Sequence, residues 1–506
     1  MSLDLPGTER VQMPLANWRM RSGAAVCLSL LLLGGVTGPG ASASAYGLPS
    51  SVHKVSAGVV TRSGTISDPV LVRRPELVSK TLRAGGSLKQ LSKQLTSQNR
   101  PLNPSNEDRV REQAVEDGAQ YTIESSTYPK GKLPLDQYEY ITPQECETHQ
   151  AQSARPEGWI KNRFSYCQRH LDWATAYSED GKPIGTYVSG NTIIGYGERG
   201  SPQDYPNWRY AHFTLAIDSV MTTGVFDDPE ARMIVSLWCG GKYVGKPPAN
   251  SGSANACLAT ESDDKLISQW RDGGSTDFFL YSAASTPSWW NGEMLAQAVF
   301  QPRYDFRIPG LPEIQQARGE DGGMRFDSAW YLQTGKQGSV FDRSRPGLIY
   351  RLSDKTNPGR DYAGVAEVAA HIKFAQDHPE DTLPAVAGKH LPGGNRNDPL
   401  ERLAKSKGPT YELRLNTNRG LSTAYCDSGM VPGYHPPATE CDEYPFASTY
   451  EGAAEYIWDN LPEYMDFFSV RAVARKDNGE AGNRLYRWYD QQRILDRDRF
   501  FIDIEP

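Results

Sequence analysis

The sequence predicts a multidomain protein, in which a β-rich middle domain, expected to be a sandwich, is followed by a small α+β domain. Its 506 residues suffice for roughly two to four domains. Short β-branched and aromatic runs, separated by Gly, Pro, Asn and Asp, begin near residue 145. Close to the C-terminus, a strand-like run, a turn, a helix-like segment and a last strand follow one another. The expected segments are 1–45, 46–144, 145–380 and 381–506.

Composition and charge exclude several classes of protein. The chain has 54 Lys+Arg against 61 Asp+Glu, a formal net charge of −7, which excludes a protein that coats nucleic acid through overall positive charge. Its 47 Gly and 35 Pro show no collagen repeat, and no heptad repeat indicates a coiled coil. An enzyme with one locally basic cleft is compatible with these numbers.

The first 45 residues have the pattern of a secretory signal. Arg19 and Arg21 close a basic region, and an apolar stretch follows over Ala24–Val36. Small residues then offer cleavage sites after Ala43 or Ala45. The apolar stretch is shorter than the about 20 residues that span a bilayer, although an uncleaved anchor stays open. We therefore predict a secreted, extracellular protein with no membrane segment in its mature form.

Residues 46–144 are polar and have few periodic apolar positions. A segment of this kind buries too little apolar surface to form a core of its own. We expect a partly disordered leader, a linker or a pro-segment that is removed, and these interpretations stay open.

Six cysteines remain after the predicted signal, and they form three sequence-local pairs. An even number of cysteines in an exported chain indicates disulfides. Each pair brackets a polar or Gly- and Pro-containing loop, which favours local pairing among the 15 possible connectivities. No C-x-x-C or H-x-x-x-H spacing supports a zinc site. The predicted disulfides are Cys146–Cys167, Cys239–Cys257 and Cys426–Cys441.

The middle segment, 145–380, is expected to be an accessory domain. Its clearest strand signals are the alternating runs 186–196, 210–217 and 231–239. Residues 361–377 are Ala-rich with helical spacing and are expected to end this domain or to connect it to the next one.

Several tryptophans in the middle segment allow a second functional hypothesis. Trp289, Trp290 and Trp173 could form an exposed aromatic platform for sugars, or they could be buried in the core, as aromatic residues commonly are. The alternative function is therefore a secreted polysaccharide-active or polysaccharide-binding protein whose activity resides in the β-rich domain.

An acidic segment in the last domain is a candidate for catalysis. Asp442 and Glu443 are adjacent, so in an extended strand their side chains point to opposite faces and one can enter a site. Glu451 precedes Gly452, where a turn could return it to the same pocket. A solvated acidic turn is the alternative interpretation.

A second polar cluster follows the acidic segment. Residues 467–474 are expected to form a strand, 475–479 a turn and 481–492 a helix. Asn478 and Asn483 lie where the helix would start, so they could hold a divalent cation through oxygen ligands or simply cap the helix.

Together these clusters resemble the secreted deoxyribonuclease family of the NucA/NucB type. The resemblance rests on the strings CDEYPFA at 441–447 and STYEG at 448–452, the DNGEAG loop at 477–482 and the closing pattern 485–500. It covers about 80–100 residues, roughly a fifth of the chain, within the domain of about residues 385–506.

The resemblance implies a compact nuclease with a ββα-metal-like core that hydrolyses DNA without sequence specificity. Asp442 would be the general base and Glu443 the adjacent acid. Glu451, Asn478 and Asn483 would hold the metal, Mg²⁺ or Mn²⁺, which can neutralise charge on a phosphate and assist the leaving oxygen.

The substrate would be DNA, bound by a locally basic surface. Arg471, Arg475, Lys476 and Arg484 lie in the same terminal stretch and are the expected phosphate contacts, which position a duplex without reading its sequence. A solvated helix face could equally explain some of these residues. The protein is expected to act as a monomer.

Overall fold

A computed structural model describes most of the chain from residue 119 onwards and a short hairpin before it. The described backbone covers residues 55–61, 64–66, 84, 90, 119–128, 140–155, 158–177, 183–200, 209–244, 255–260, 262–282, 293–310, 314–318, 321–333, 335–355 and 364–506. The predicted signal and much of the predicted leader lie outside these residues.

The described part of the chain is rich in strands and has few helices. Its strands are β1 Val55–Thr61, β2 Gly64–Ile66, β3 Ala119–Glu124, β4 Trp159–Asn162, β5 Ser165–Tyr177, β6 Pro183–Tyr196, β7 Tyr210–Gly224, β8 Arg232–Val244, β9 Leu258–Ala259, β10 Asp263–Leu266, β11 Ser275–Tyr281, β12 Glu293–Arg307, β13 Ile314–Arg318, β14 Gly322–Ala329, β15 Gln337–Val340, β16 Ser344–Arg351, β17 Leu400–Glu401, β18 Thr439–Tyr444, β19 Ser469–Ala474 and β20 Arg499–Glu505. Its α-helices are α1 Pro143–Thr148, α2 Gln150–Ser153, α3 Ile267–Arg271, α4 Ala366–Asp377, α5 Pro409–Tyr425, α6 Glu455–Trp458 and α7 Arg475–Gln491.

Two large sheets share the core of the middle region. One has the strand order β2-β1-β5-β6-β7-β11-β9, with β4 added to β5, and the other has the order β10-β8-β12-β14-β15, with β13 added to β12. Residues 210–217 of β7 alternate between half-buried and buried, as expected where one face of a sheet is covered. Phe213 of β7 lies 4.7 Å from Phe300 of β12, measured between ring centroids. The predicted β-rich middle region is confirmed, and the strands predicted at 186–196, 210–217 and 231–239 correspond to β6, β7 and β8.

The last strand belongs to a separate four-stranded sheet. Its order is β17-β20-β16-β3, and β20 and β3 both run parallel to the central β16. Helices α4 and α7 cover this sheet through a core that includes Ile372, Trp488 and Phe500. This one sheet therefore contains strands from three of the predicted segments: β3 precedes the boundary after residue 144, β16 lies between the two boundaries, and β17 and β20 follow the boundary after residue 380. The domain boundaries at those positions stay predictions.

A hairpin and a helix follow one another in the C-terminal region. Strand β18 pairs antiparallel with β19, and α7 begins directly after β19. The turn predicted at 475–479 is wrong, because these residues form the first turn of α7. Glu367 Oε2 of α4 accepts the Ala474 N–H at 2.6 Å, and Asp477 Oδ2 in the first turn of α7 accepts the Glu367 N–H at 3.3 Å, so these contacts tie the start of α7 to α4. The ββα-metal core itself stays a prediction.

Buried ion pairs link the C-terminal segment to the β-rich middle region. Asp498 Oδ1 lies 2.7 Å from Arg325 Nη1, and Asp498 Oδ2 lies 3.0 Å from Arg163 Nη1. Arg493 also pairs with Asp327 of β14. All five side chains are at least nine-tenths buried, so each charge depends on its partners for compensation.

All three predicted disulfides are present. Cys146 pairs with Cys167, Cys239 with Cys257 and Cys426 with Cys441. The third bond ties the end of α5 to β18, so it fixes one wall of the C-terminal hairpin. None of the described helices combines the length and the apolar character that crossing a membrane requires.

Candidate active site

A cleft of about 770 Å³ lies against the C-terminal hairpin and brings several predicted site residues together. Strand β18 contributes Asp442 and Glu443, and α7 contributes Arg475, Asn478 and Asn483. Further walls come from α5 and from the loops that flank β17 and β18. Four of the five predicted catalytic and metal-binding residues therefore line one cavity, and a buried concave site of this kind is where binding and chemistry are expected.

The alternation of β18 separates the environments of the two adjacent carboxylates. Asp442 is 5% exposed and lies opposite Arg471 in the hairpin. Its Oδ2 lies 2.6 Å from Nδ1 of His371, a residue of α4, and Nε2 of His371 lies 2.8 Å from Ser469 Oγ. The carboxylate of Asp442 is thus held from one side by a buried imidazole.

Glu443, the next residue of β18, also lines the cleft and is poorly solvated. Burial raises the pKa of Glu443 to about 7, the negative charge of Asp442 acts in the same direction, and Arg419 opposes both. The Arg419 Nε lies 4.0 Å from Glu443 Oε1, which is too long to hold the carboxylate strongly ionised. A carboxyl group with a pKa near neutrality can carry a proton at the pH where Asp442 is expected to accept one.

The two predicted asparagines lie on the cleft wall rather than at helix caps. Asn478 donates from Nδ2 to Glu440 Oε2 at 3.1 Å, and this bond orients its amide. Glu440 is also 3.1 Å from Arg475 Nε, so its charge is already paired. Amide and carboxylate oxygens are the donors that Mg²⁺ accepts, often together with water and substrate phosphate. Within the described ranges, no group of three His, Cys, Asp or Glu side chains is arranged to hold a metal ion.

Glu451 is placed away from the other predicted metal ligands. Its Oε2 accepts the backbone N–H of Glu401 at 3.0 Å, and it is not among the residues that line the cleft. Burial raises the pKa of Glu451 to about 8. The three predicted metal ligands are therefore not brought together, and the backbone contact to Glu401 gives Glu451 a role in holding β17.

Replacing Glu451 with glutamine is expected to make the protein more stable at alkaline pH. Because the folded state raises the pKa of Glu451, the stability from its protonated form is complete below the ordinary glutamate pKa and is lost as pH rises towards about 8. Glutamine keeps an oxygen acceptor for the Glu401 N–H and does not titrate. Melting temperatures measured from about pH 5 to about pH 9 should fall less for Glu451→Gln than for the wild type.

The same variant tests the metal role. If Glu451 ligates the metal, Glu451→Gln should also raise the Mg²⁺ concentration that gives half-maximal activity. If the melting temperatures of the two proteins fall equally as the pH rises, the raised pKa of Glu451 would be contradicted.

The four basic residues predicted to contact DNA divide into two groups. Arg471, Arg475 and Lys476 are exposed and line a second cavity of about 1000 Å³, and Arg475 also lines the first cleft. Arg484 is 1% exposed, and its guanidinium pairs with Glu480 at 2.9 Å and with Asp354 at 2.5 Å. Arg484 therefore lies inside the fold, whereas the other three lie where a phosphate can reach them.

His371 is the residue of this site that sequence reasoning missed. It lies in the Ala-rich segment that was interpreted as the end of a domain or a connection. Its neighbours Val368 and Ile372 belong to the buried core. The sequence feature that could have identified His371 is therefore a single polar residue on the apolar face of this helix. Of the proposed aromatic platform, Trp289 and Trp290 lie outside the described residues.

Comparison with known proteins agrees with the location of this cleft. Residues 396–503 match the family model described as Deoxyribonuclease NucA/NucB. No curated protein matches the chain. Among solved structures, Clostridium perfringens delta-toxin aligns with 34% of this chain and 93% of its own length, at 9% identity and a TM-score of 0.10, and so low a score carries no argument.

The matched residues contain the carboxylates and asparagines of the first cleft, as well as the exposed basic residues beside it. Residues 396–503 therefore belong to the NucA/NucB deoxyribonuclease family, and this domain makes the chain a deoxyribonuclease.

Proposed function

We propose that the chain is a secreted, metal-dependent, sequence-nonspecific DNA endonuclease in which Asp442 is the general base. The observation that carries this proposal is the cleft within the family-matched region, where two carboxylates in different environments lie beside two asparagines. A buried carboxyl group whose pKa is raised, as burial raises that of Glu443, can serve as the acid of such a site.

Phosphodiester hydrolysis needs an activated water and a protonated leaving oxygen. Asp442 accepts the proton of the attacking water, since its carboxylate lines the cleft and is held in place from behind by His371. Glu443, with its pKa raised to about 7, supplies a proton to the leaving oxygen. A water bridging the two cleft walls would extend the reach of either group.

The metal is proposed to be Mg²⁺ or Mn²⁺, held by the amide oxygens of Asn478 and Asn483, which line the cleft. When bound, it supplies charge neutralisation at the phosphate and stabilises the leaving oxygen. Water molecules and substrate oxygens would complete its coordination, as is usual for Mg²⁺ sites that have few protein ligands.

DNA is proposed to cross the hairpin from the first cleft to the second. Arg471, Arg475 and Lys476 are exposed along this route, and contacts from such residues to phosphates carry no sequence information. Nonspecific cleavage follows, because base edges are not read. Arg484 is instead proposed to have a structural role. The binding of DNA should weaken as the salt concentration rises.

Secretion is proposed from the predicted signal at residues 1–45 and is supported by the three disulfides, which persist in oxidising compartments. The accessory role of segment 145–380, its polysaccharide contact and the monomeric state of the protein stay proposals of the same kind.

A plasmid assay tests the proposal. Purified full-length protein should convert supercoiled plasmid to nicked, linear and finally short DNA in Mg²⁺ or Mn²⁺. EDTA should abolish the reaction, and excess Mg²⁺ should restore it, because charge neutralisation at the phosphate depends on the ion. Cleavage that survives EDTA would remove the metal from the mechanism, and discrete fragments from a single site would remove nonspecificity.

A further inference from the structure

His371 joins the nuclease site from outside the family-matched residues 396–503. It lies on α4, is 1% exposed, and its two ring nitrogens contact two residues of the C-terminal hairpin. Nδ1 lies 2.6 Å from Asp442 Oδ2, and Nε2 lies 2.8 Å from Ser469 Oγ. A chain of three buried polar groups therefore ends at the proposed general base.

The chemistry of the three groups sets the direction of these hydrogen bonds. An ionised carboxylate only accepts, so Nδ1 of His371 must carry the proton that faces Asp442. In the tautomer that carries this proton on Nδ1, Nε2 accepts from the Ser469 hydroxyl, which can donate. Asp442 thus selects the tautomer, and Ser469 completes the hydrogen bonding of the ring.

This arrangement divides the two oxygens of Asp442. Oδ2 is occupied by His371, whereas Oδ1 has no hydrogen-bond partner within the described part of the chain. Asp442 lines the cleft, so Oδ1 is the oxygen available to a water molecule there. A carboxylate fixed through one oxygen presents the other in a defined direction, and catalytic groups lose rate when their direction is not held.

The helix that carries His371 is itself fixed to the nuclease elements. Glu367 of α4 accepts the Ala474 N–H at the start of α7, and Gln376 Nε2 donates to the Tyr444 hydroxyl at 3.0 Å and to the Ile502 carbonyl at 3.2 Å. These contacts lie on both sides of His371 along α4, so they hold the backbone position from which its imidazole reaches Asp442.

Other charged and titratable groups also face Asp442. Burial raises the pKa of Tyr350 on β16, and the nearby charge of Asp442 raises it further. Glu443 neighbours Asp442 on β18, and Arg471 is opposite to it on β19. Of these four groups, counting His371, only the imidazole makes a hydrogen bond to the Asp442 carboxylate.

We infer that His371 is a positioning residue, which orients Asp442 for proton abstraction and makes α4 a necessary part of the nuclease. The inference rests on the proposed role of Asp442 as the general base. It gives the segment before residue 396 a direct function in the reaction, beyond support of the fold.

The test compares three substitutions in the full-length protein. Removing an outer partner of a catalytic ligand typically costs about 10–100-fold in activity, so His371→Ala should lower kcat by that factor with little change in KM. His371→Asn places an amide donor near the position of Nδ1 and should recover much of the loss. His371→Gln places its donor towards Ser469 instead and should recover less. The acid limb of the pH–kcat profile should shift in the alanine and glutamine variants.

His378→Ala is the matched control, since His378 is exposed at the end of the same helix. Wild-type kcat and an unchanged acid limb in all the His371 variants would overturn the inference, as would equal activity of the folded Asn and Gln variants. If His371→Ala does not fold, the ratio of the kcat values of His371→Asn and His371→Gln decides whether the inference holds. Full activity of Asp442→Asn would instead overturn the proposed function, so the two failures are distinguishable.

Discussion

Replacing Asp442 with asparagine should lower the turnover number for DNA cleavage by about 10²–10⁴-fold, the usual contribution of a general base. Asparagine has nearly the same shape and keeps an oxygen that can accept from His371 Nδ1, so the hydrogen bond at 2.6 Å can persist. It cannot take a proton from water. The loss should therefore appear in kcat, with DNA affinity and melting temperature close to those of the wild type.

Asp377→Asn is the matched control for this variant. Asp377 is exposed at the end of α4 and pairs with Lys373 across one helical turn, at 2.9 Å, so its replacement should leave activity unchanged. An Asp442→Asn protein that binds and cuts DNA as the wild type does would contradict the assigned base and direct attention to Glu443.

Replacing Asp498 with alanine should lower the free energy of unfolding by about 3–5 kcal/mol, the range measured when one partner of a buried ion pair is removed. The substitution leaves the guanidinium groups of Arg163 and Arg325 buried without the carboxylate that faces both of them. It also removes the acceptor for the Leu495 N–H, which lies 2.9 Å from Asp498 Oδ2. Chemical denaturation of the purified protein measures the change.

Asp503→Ala provides the comparison, because Asp503 lies half-buried on β20. This substitution should lower the free energy of unfolding by well under half as much as Asp498→Ala does. The Asp498 variant should also loosen the contact between the C-terminal segment and the β-rich middle region, and protease cleavage near residue 493 would report it. A loss below about 1 kcal/mol would show that the arginines find other compensation, such as the Arg493 carbonyl at 2.8 Å from Arg163 Nη1.

Local patterns in the sequence predicted those features that depend on neighbouring residues. The alternation of β6, β7 and β8 was visible because each strand covers one face of a core. The three disulfides join cysteines that are only 15 to 21 residues apart. The first cleft was largely predictable too, because Asp442 and Glu443 lie in a short characteristic string.

Contacts between distant parts of the chain were not predictable in this way. His371 is 71 residues from Asp442, and Arg163 is 335 residues from Asp498. Such pairs depend on how whole helices and strands pack against one another. Hydrophobic periodicity within a short stretch of sequence does not contain that information. The contact of Glu451 was not predictable for the same reason, since its partner is a backbone N–H on a strand 50 residues earlier. The start of α7, which was predicted as a turn, is likewise tied to a distant helix, since Glu367 accepts the Ala474 N–H.

The most direct test of the central proposal, that Asp442 performs the hydrolysis in the first cleft, is the single-turnover rate of plasmid nicking. It would be measured in Mg²⁺ at protein concentrations that saturate the DNA, so that binding does not limit the rate. We predict that Asp442→Asn binds the plasmid as tightly as the wild type but nicks it about 10²–10⁴-fold more slowly. Equal nicking rates for the two proteins would contradict the account.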